Sequence, residues 1–386
     1  MLASHATPSH KLAGLDHLRA LAITLVLLFH YQLFGHPGWI ESAGEFGWTG
    51  VDLFFVLSGY LISYQLFTTI AMGYKVDLKE FYIKRTFRII PAYLLTVGLY
   101  FLVPTFREFN GIAPLWKFIT FTQNFGLDAR YYRAFSHCWS LCVEEQFYLV
   151  LPLLLVLMHI LKAGKKAFAI IPLLFIAGFV IRILIYQFAV EPLRGDDTFG
   201  ILWTKNMYYP TYTRLDGLLA GVTIAAISVF KPVTFKRITK YGNAMLLISL
   251  LMLTGAYVIC KNRSSFTASV FGFPAVSVAY AALVLAALSP GCVLYKYRSR
   301  FTSSLATLSY SIYLIHKGIF HLTQTALSKQ GIDINSTLVI VPCIAMAVLA
   351  ALTMRYAIEK PFLKLREKVL LKMKMKKIQR QPITTA

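Results

Sequence analysis

The sequence predicts an all-α, polytopic integral membrane protein of about ten transmembrane helices, with both termini in the cytoplasm. Three observations carry this expectation. Of 386 residues, 57% are hydrophobic and only 15% charged, yet the formal net charge is +22, a combination foreign to soluble domains. Ten runs are long enough to span a bilayer, which takes about 20 mainly apolar residues each. The basic residues fall in short segments between these runs, which excludes the single basic face of a nucleic-acid-binding domain.

The runs lie near 16–35, 47–70, 86–106, 138–161, 167–189, 211–230, 243–260, 271–290, 304–326 and 336–357. The interval 107–136 reads either as loop or, over 112–126, as an interfacial or re-entrant segment. With the amino terminus inside, the inner segments hold Lys11, then Lys75, Lys79, Lys84, Arg85 and Arg88, then Lys162, Lys165 and Lys166, then the basic residues of 231–240 and 296–300. The outer loops hold far fewer, as the positive-inside rule requires. The tail after Glu359 is again basic, to Arg380. The polar first ten residues lack the pattern of a signal peptide, so the first span is expected to act as its own insertion signal.

The first span, LDHLRALAITLVLLFH, places Arg19 and His30 in an otherwise apolar run, and ionisable residues there are costly enough to mark function. Eleven positions at about 100° each return to one side of a helix, roughly 16 Å further along. One face thus carries a cation near one membrane surface and an imidazole well inside. In the second span, GVDLFFVLSGYLI, Asp52 serves a structural hydrogen bond or a catalytic role with equal plausibility. Before the third span, Arg85 and Arg88 share a helix face and suit phosphate oxygens; inner-face topology alone also accounts for them.

The fourth span begins SHCWSLCVEEQFYLVLP, and His137, Glu144 and Tyr148 stand at i, i+7 and i+11 on one face. Entering from outside, this chain puts Glu144 about 10 Å deep, near the level His30 reaches from the inside. A carboxylate beside an imidazole orients it and raises its basicity, so a His30–Glu144 pair is expected; alternatively Glu144 and Glu145 neutralise nearby arginines. Arg214 and Asp216 read as an entrance feature or as mutual charge compensation. In the ninth span Tyr310, Tyr313 and His316 run along one side, with His316 ranked below His30. Arg355 and Glu359, at i and i+4, read as a structural ion pair.

The five cysteines are odd in number and match no zinc spacing, so no metal site and no disulfide framework is expected. Asn262-Arg263-Ser264 and Asn335-Ser336-Thr337 are glycosylation sequons in outer loops, without meaning in a bacterium. A cationic mouth formed by Arg19, Arg85 and Arg88, with His30, Asp52, Glu144, Glu145 and His316 gathered in the outer half, suits a phosphate-bearing donor. It would enter from the cytoplasm and deliver its reactive end deep in the membrane.

These stretches, with FYIKRTFRIIPAY, RLDGLLAG, LSYSIYLIH and EKP, occur in one order over almost the whole chain. In this the sequence resembles the membrane-bound acyltransferase-3 family, the bacterial O-acyltransferases of surface polysaccharides and related acceptors. The resemblance implies a transmembrane acyltransferase domain over 1–361, a basic cytoplasmic tail over 362–386, and a place in the bacterial cytoplasmic (inner) membrane. It implies acyl-CoA, acetyl-CoA by default, as co-substrate, with no tightly bound cofactor. The expected partners are a carbohydrate or other hydroxyl acceptor and membrane lipids, without nucleic acid.

The resemblance carries activity onto Arg19 and His30 and onto the Arg85–Arg88 pair. On this reading His30 is the general base, Arg19 and Glu144 complete the catalytic group, and Arg85 and Arg88 bind acyl-CoA. Asp52, Trp139, Glu145, Tyr148, Tyr310 and His316 support them, with Tyr148, Tyr310 or a buried arginine as oxyanion donor. Direct transfer and an acyl-histidine intermediate both stay open. Some relatives carry a soluble SGNH-type domain after the membrane part; with only a basic tail of about 25 residues after the last span, handover to such a domain is expected to need a separate protein. A secondary transporter or flippase of a lipid-linked sugar is the alternative, although no internal symmetry of the kind transporters show is visible.

Overall fold

Uninterrupted apolar runs with polar residues at their ends leave the backbone one solution in hydrocarbon, the helix. The chain is described here from a computed structural model over residues 13–162 and 164–379, and among these it is all-helical without strands. The polar amino-terminal stretch with Lys11, and the last part of the tail from Arg380, lie outside the described residues. Eleven longer helices are α1 Ala13–Tyr31, α2 Gly50–Ala71, α3 Leu78–Leu102, α4 Trp139–Ile160, α5 Ile170–Ile185, α6 Asp216–Phe230, α7 Gly242–Cys260, α8 Phe273–Leu288, α9 Arg300–Lys329, α10 Thr337–Met354 and α11 Lys360–Gln379.

The first ten fall on the ten expected runs, and α11 carries the basic tail. Among the described residues, seven helical stretches are long and apolar enough to cross a membrane by themselves. The helices outside that set are α6, which has 15 residues, and α3 and α9, which carry several charges. The charges have physical reasons: α3 opens with Lys79, Glu80, Lys84, Arg85 and Arg88, while α9 turns Lys317 and His316 into the bundle, where both are buried.

α1 lies near the centre. Its buried face of Leu15, Leu18, Ala22, Ile23, Val26 and His30 follows helical spacing and meets α2, α8 and α9. α2 and α6 pack most closely of all. Their backbones touch because Gly59 and Gly221 lack side chains: a Cβ on Gly59 would strike the carbonyl oxygen of Leu218, and one on Gly221 that of Val56, the small-residue contact common between membrane helices.

Buried charges pin this contact. Arg214 donates to Asp52 on α2 at 2.8 Å, and Arg182 on α5 donates to Asp216 at 2.7 Å. Arg214 and Asp216 therefore form no ion pair with each other; two positions apart, each takes its ion-pair partner across the bundle. Arg182 also donates to the carbonyls of Thr213 and Val270. Removing one member of such a pair strands a buried charge, which costs about 3–5 kcal/mol. Asp216→Ala is thus expected to lower the thermal unfolding midpoint of the detergent-solubilised protein sharply; an unchanged midpoint would show that the pair does not hold α5 to α6.

The segment between α3 and α4 is not a free loop. It carries a short helix, Leu115–Ile119, and folds into the bundle through Phe118, Leu127 and Phe135, all buried. Phe135 takes a left-handed backbone (φ 54°) and stacks on Tyr100 at 4.3 Å and Phe118 at 5.4 Å. Glu108 ties the segment down by accepting from the Phe135 N–H and pairing with Lys317 at 2.7 Å. Asp128 accepts from Arg130 and Lys205, and the Arg130 hydrogen bond leads in holding its carboxyl below the usual carboxylate range. That clamp contributes stability above the ordinary carboxylate pKa and loses it as pH falls through the depressed one.

Candidate active site

The end of α1 delivers His30 to a cluster of three imidazoles. Its Nδ1 lies 2.8 Å from Nε2 of His316 on α9, with ring centroids 5.0 Å apart. His137, in the turn that opens α4, sits edge-on to both, at 5.6 Å from His30 and 5.0 Å from His316. Tyr313, one turn before His316, closes the group: its hydroxyl donates to the carbonyl of His137 at 2.7 Å and shares a hydrogen bond with Ser140 at 2.5 Å.

The hydrogen bonds fix the tautomers. Nδ1 of His316 faces the carbonyl oxygens of Tyr313 at 2.9 Å and Ile312 at 3.1 Å, and carbonyls only accept, so this nitrogen carries the proton. A neutral imidazole has one N–H, so Nε2 of His316 accepts, and the donor across the 2.8 Å contact is Nδ1–H of His30. The remaining nitrogen, Nε2 of His30, is left as a free lone pair. A second group on the far nitrogen thus orients the His30 imidazole, and here that group is another imidazole tied to backbone.

The expected His30–Glu144 pair does not form. Glu144 instead accepts from Tyr148 at 2.6 Å and Ser58 at 3.0 Å. The depth argument placed the surface at the start of α4, but His137 and Cys138 are buried beneath the folded 107–136 segment, so α4 begins inside the protein. His30 meets His137, and Glu144 lies seven residues, about 10 Å, further down. Among the described residues Glu144 forms no ion pair with an arginine either; the Tyr148 ring it bonds lies 5.5 Å from the Arg85 guanidinium.

Tyr148 and Tyr310 are also displaced from the His30 level. Tyr148 stands eleven residues below His137, roughly 16 Å along α4, and Tyr310 six residues, roughly 9 Å, from His316; the Tyr310 hydroxyl donates to the Ile89 carbonyl at 2.9 Å. Neither lies at the level of His30; Tyr313 lines the same cavity as His30, with its hydroxyl proton given to the His137 carbonyl. Asp52 is taken up by Arg214 and lies behind Trp139, whose ring faces the Arg214 guanidinium at 5.3 Å. Half-buried Glu145 makes no ion pair among the described residues.

At the other end of α1, Arg19 makes a long contact to Asp16, 3.4 Å, and lies within electrostatic range of Arg88 and Tyr148. Arg85 faces the rings of Tyr148 and Phe81. Arg88 is not a free cation: Glu359 holds it at 3.0 Å, together with Arg355 at 3.1 Å and the hydroxyl of Ser311. The expected Arg355–Glu359 pair is therefore present and enlarged. All five cysteines are buried and free. Among the described residues, no group of three or more His, Cys, Asp and Glu side chains is arranged to hold a metal ion.

His30 and His137 open into a cavity of about 620 Å³, also lined by Trp48, Trp139, Tyr208, Tyr209 and Tyr313, and by the 261–264 turn after α7. Its location at the His30 end of α1, away from Arg19, gives the molecule two separate polar sites joined along one helix.

Comparison with known proteins places this arrangement. The acyltransferase-3 family, described as an acyltransferase domain, matches residues 12–356. The chain belongs to the acyltransferase-3 family. It is 30% identical to YrhL of Bacillus subtilis over 92% of this chain and 56% of that protein. It is 29% identical to the O-acetyltransferase OatA of Staphylococcus aureus over 92% of this chain and 57% of that protein. The peptidoglycan O-acetyltransferase OatA of Listeria monocytogenes is 30% identical over 81% of this chain and 50% of its own length. The chain thus spans about half the length of the curated relatives it matches. No solved structure matches it.

This acyltransferase-3 member is an integral protein of a bacterial membrane. The His30 end of its first span was visible in the sequence; His137, Tyr313 and Lys317 were not singled out as site residues. His137 and Tyr313 stood in the expected fourth and ninth spans. Only the burial of the α4 start and the 286-residue separation of His30 from His316, neither visible in local pattern, brings them together.

Proposed function

We propose that the chain is a membrane O-acyltransferase that moves an acyl group, acetyl by default, from acyl-CoA at the Arg19 end to a hydroxyl of an extracytoplasmic glycan at the His30 end. The observation that carries this reading is His30 in the cavity wall, its Nδ1–H held by His316 and its Nε2 left without a hydrogen-bond partner among the described residues. Counting α3, α6 and α9 as spans makes ten, which keeps both termini cytoplasmic and puts the cavity outside. The names of the relatives, O-acetyltransferases and in two of the three cases of peptidoglycan, support a glycan acceptor.

In this mechanism the donor's phosphates rest near Arg19, Arg85 and Arg88, roughly 16 Å from His30 along α1, and the thioester reaches the histidine cluster. Nε2 of His30 takes the proton of the acceptor hydroxyl as its oxygen attacks the thioester carbon. The tetrahedral oxyanion is met by a donor at this level, for which the Lys317 ammonium, with N–H groups beyond the one it gives Glu108, is best placed. Collapse breaks the C–S bond, and the imidazolium returns its proton to the CoA thiolate. Attack by Nε2 itself, giving an acyl-histidine, uses the same geometry.

Purified protein given acetyl-CoA and a glycan hydroxyl should release free CoA and acylate the glycan. Absence of both would return the transporter reading. Replacing Arg85 and Arg88 together by Ala removes charge-assisted contacts worth about 1.5–3 kcal/mol each, so the KM for acetyl-CoA should rise about tenfold or more. An unchanged KM would return both residues to a topological role, Arg88 as the partner of Glu359.

A further inference from the structure

Three cations stand at the cavity with nothing to neutralise them. Arg133, Lys261 and Arg263 line it and are exposed. No Asp or Glu lines it, and among the described residues none of the three cations forms an ion pair. The fourth cation there, Lys317, is spoken for by Glu108. The free heads are held in place by aromatic rings: the Arg133 guanidinium lies 3.9 Å from the Phe109 centroid, and that of Arg263 lies 5.3 Å from Phe29, the neighbour of His30.

Topology does not call for these charges. The positive-inside rule accounts for Lys and Arg on the cytoplasmic side, whereas in the proposed orientation these three are on the outer one. Unpaired like charges around one concavity repel each other, and an anion entering it relieves that repulsion. The wall between them is aromatic, with Trp48 and Tyr209 among its members, and such surfaces accept the apolar faces of sugar rings.

We infer that the acceptor is an anionic glycan, whose carboxylate or phosphate is held by Arg133, Lys261 and Arg263 while the reacting hydroxyl lies at Nε2 of His30. The inference rests on the acyl-transfer reading and adds the acceptor's charge. Guanidinium forks bind carboxylate and phosphate alike, so the two sources of the anion are distinguished by experiment.

The test uses the full chain in detergent and measures binding and transfer separately. The probes are peptide-free peptidoglycan strands bearing lactyl carboxylates, the same strands after methyl esterification, and a glycerol-phosphate polymer. At low salt the carboxylated strand should bind about tenfold or more tightly than its ester, and the gap should shrink as salt rises. R133Q/K261Q/R263Q should bring the two within about twofold, with its thermal midpoint unchanged because the three side chains are exposed. Tighter binding of the phosphate polymer than of the ester names phosphate as an accepted anion.

Equal binding of all three probes by the wild-type protein overturns the inference, whether or not acetyl is transferred, and needs no variant. Preferential binding of an anionic strand without any acetyl transfer or CoA release overturns the acyl-transfer reading instead and leaves the anion site standing.

Discussion

His30→Ala is expected to lower acyl transfer by about 10²- to 10⁴-fold, the usual contribution of a positioned general base, while the protein still inserts and unfolds at an unchanged temperature. The expectation rests on one atom. Nε2 of His30 is the nitrogen left free by the hydrogen bond to His316, and His30 lines the cavity an acceptor would occupy. Alanine removes it and leaves a small gap beside His316 and His137. Normal transfer by a well-folded variant would remove His30 from the chemistry and leave it a packing residue at the end of α1.

The second large effect is expected one residue further back. His316 touches no substrate in this account; it holds His30 in the tautomer whose free nitrogen faces the cavity, because its own proton is committed to the carbonyls of Ile312 and Tyr313. His316→Leu fills similar space without an acceptor, so His30 is free to rotate or to carry its proton on the wrong nitrogen. A fall in kcat of about 10²-fold or more is expected, toward the loss that a mis-set tautomer causes in serine proteases, with KM for the donor little changed. His316→Gln offers an amide oxygen to the same N–H and should recover much of the rate. A purely structural His316 would not separate Leu from Gln in kcat at constant KM, and equal activity of the two variants would contradict its positioning role.

Much of the fold was legible because hydrocarbon leaves so few options. The run expected at 243–260 is α7, Gly242–Cys260, and that at 336–357 begins one residue before α10, Thr337–Met354. The two polar ends of α1 were legible as well, since Arg19 and His30 stand out against an apolar background and helical spacing sets the distance between them. What local pattern does not carry is depth. Placing Glu144 against His30 required the start of α4 to lie at the membrane surface, and the 107–136 segment buries it instead. A backbone turn at Phe135, stacked on Tyr100, decides this, and both belong to contacts distant in sequence.

Partner choice among charges was hidden for a related reason. Arg214 and Asp216 are adjacent enough in sequence to read as a pair, but alternate residues at a helix start face different neighbours, and only the assembled bundle shows Asp52 and Arg182 waiting there. The same holds for Arg88, whose carboxylate comes from Glu359, 271 residues away. Residues expected to support His30 thus divide into two groups: Trp139 and His316 remain near it, while Glu144, Tyr148 and Tyr310 belong to the arginine end. The division sharpens the two-ended mechanism, since the arginine cluster now has its own hydrogen-bonded carboxylate and tyrosine.

The central claim is that one helix joins a donor site on one side of the membrane to an acceptor site on the other. The most direct test reconstitutes the protein in sealed vesicles, selects those with the basic tail inside, encloses labelled acetyl-CoA and adds glycan strands only outside. The account predicts label on the external glycan and free CoA within, both lost in His30→Ala. Labelling that occurs only when donor and glycan share a compartment would contradict it.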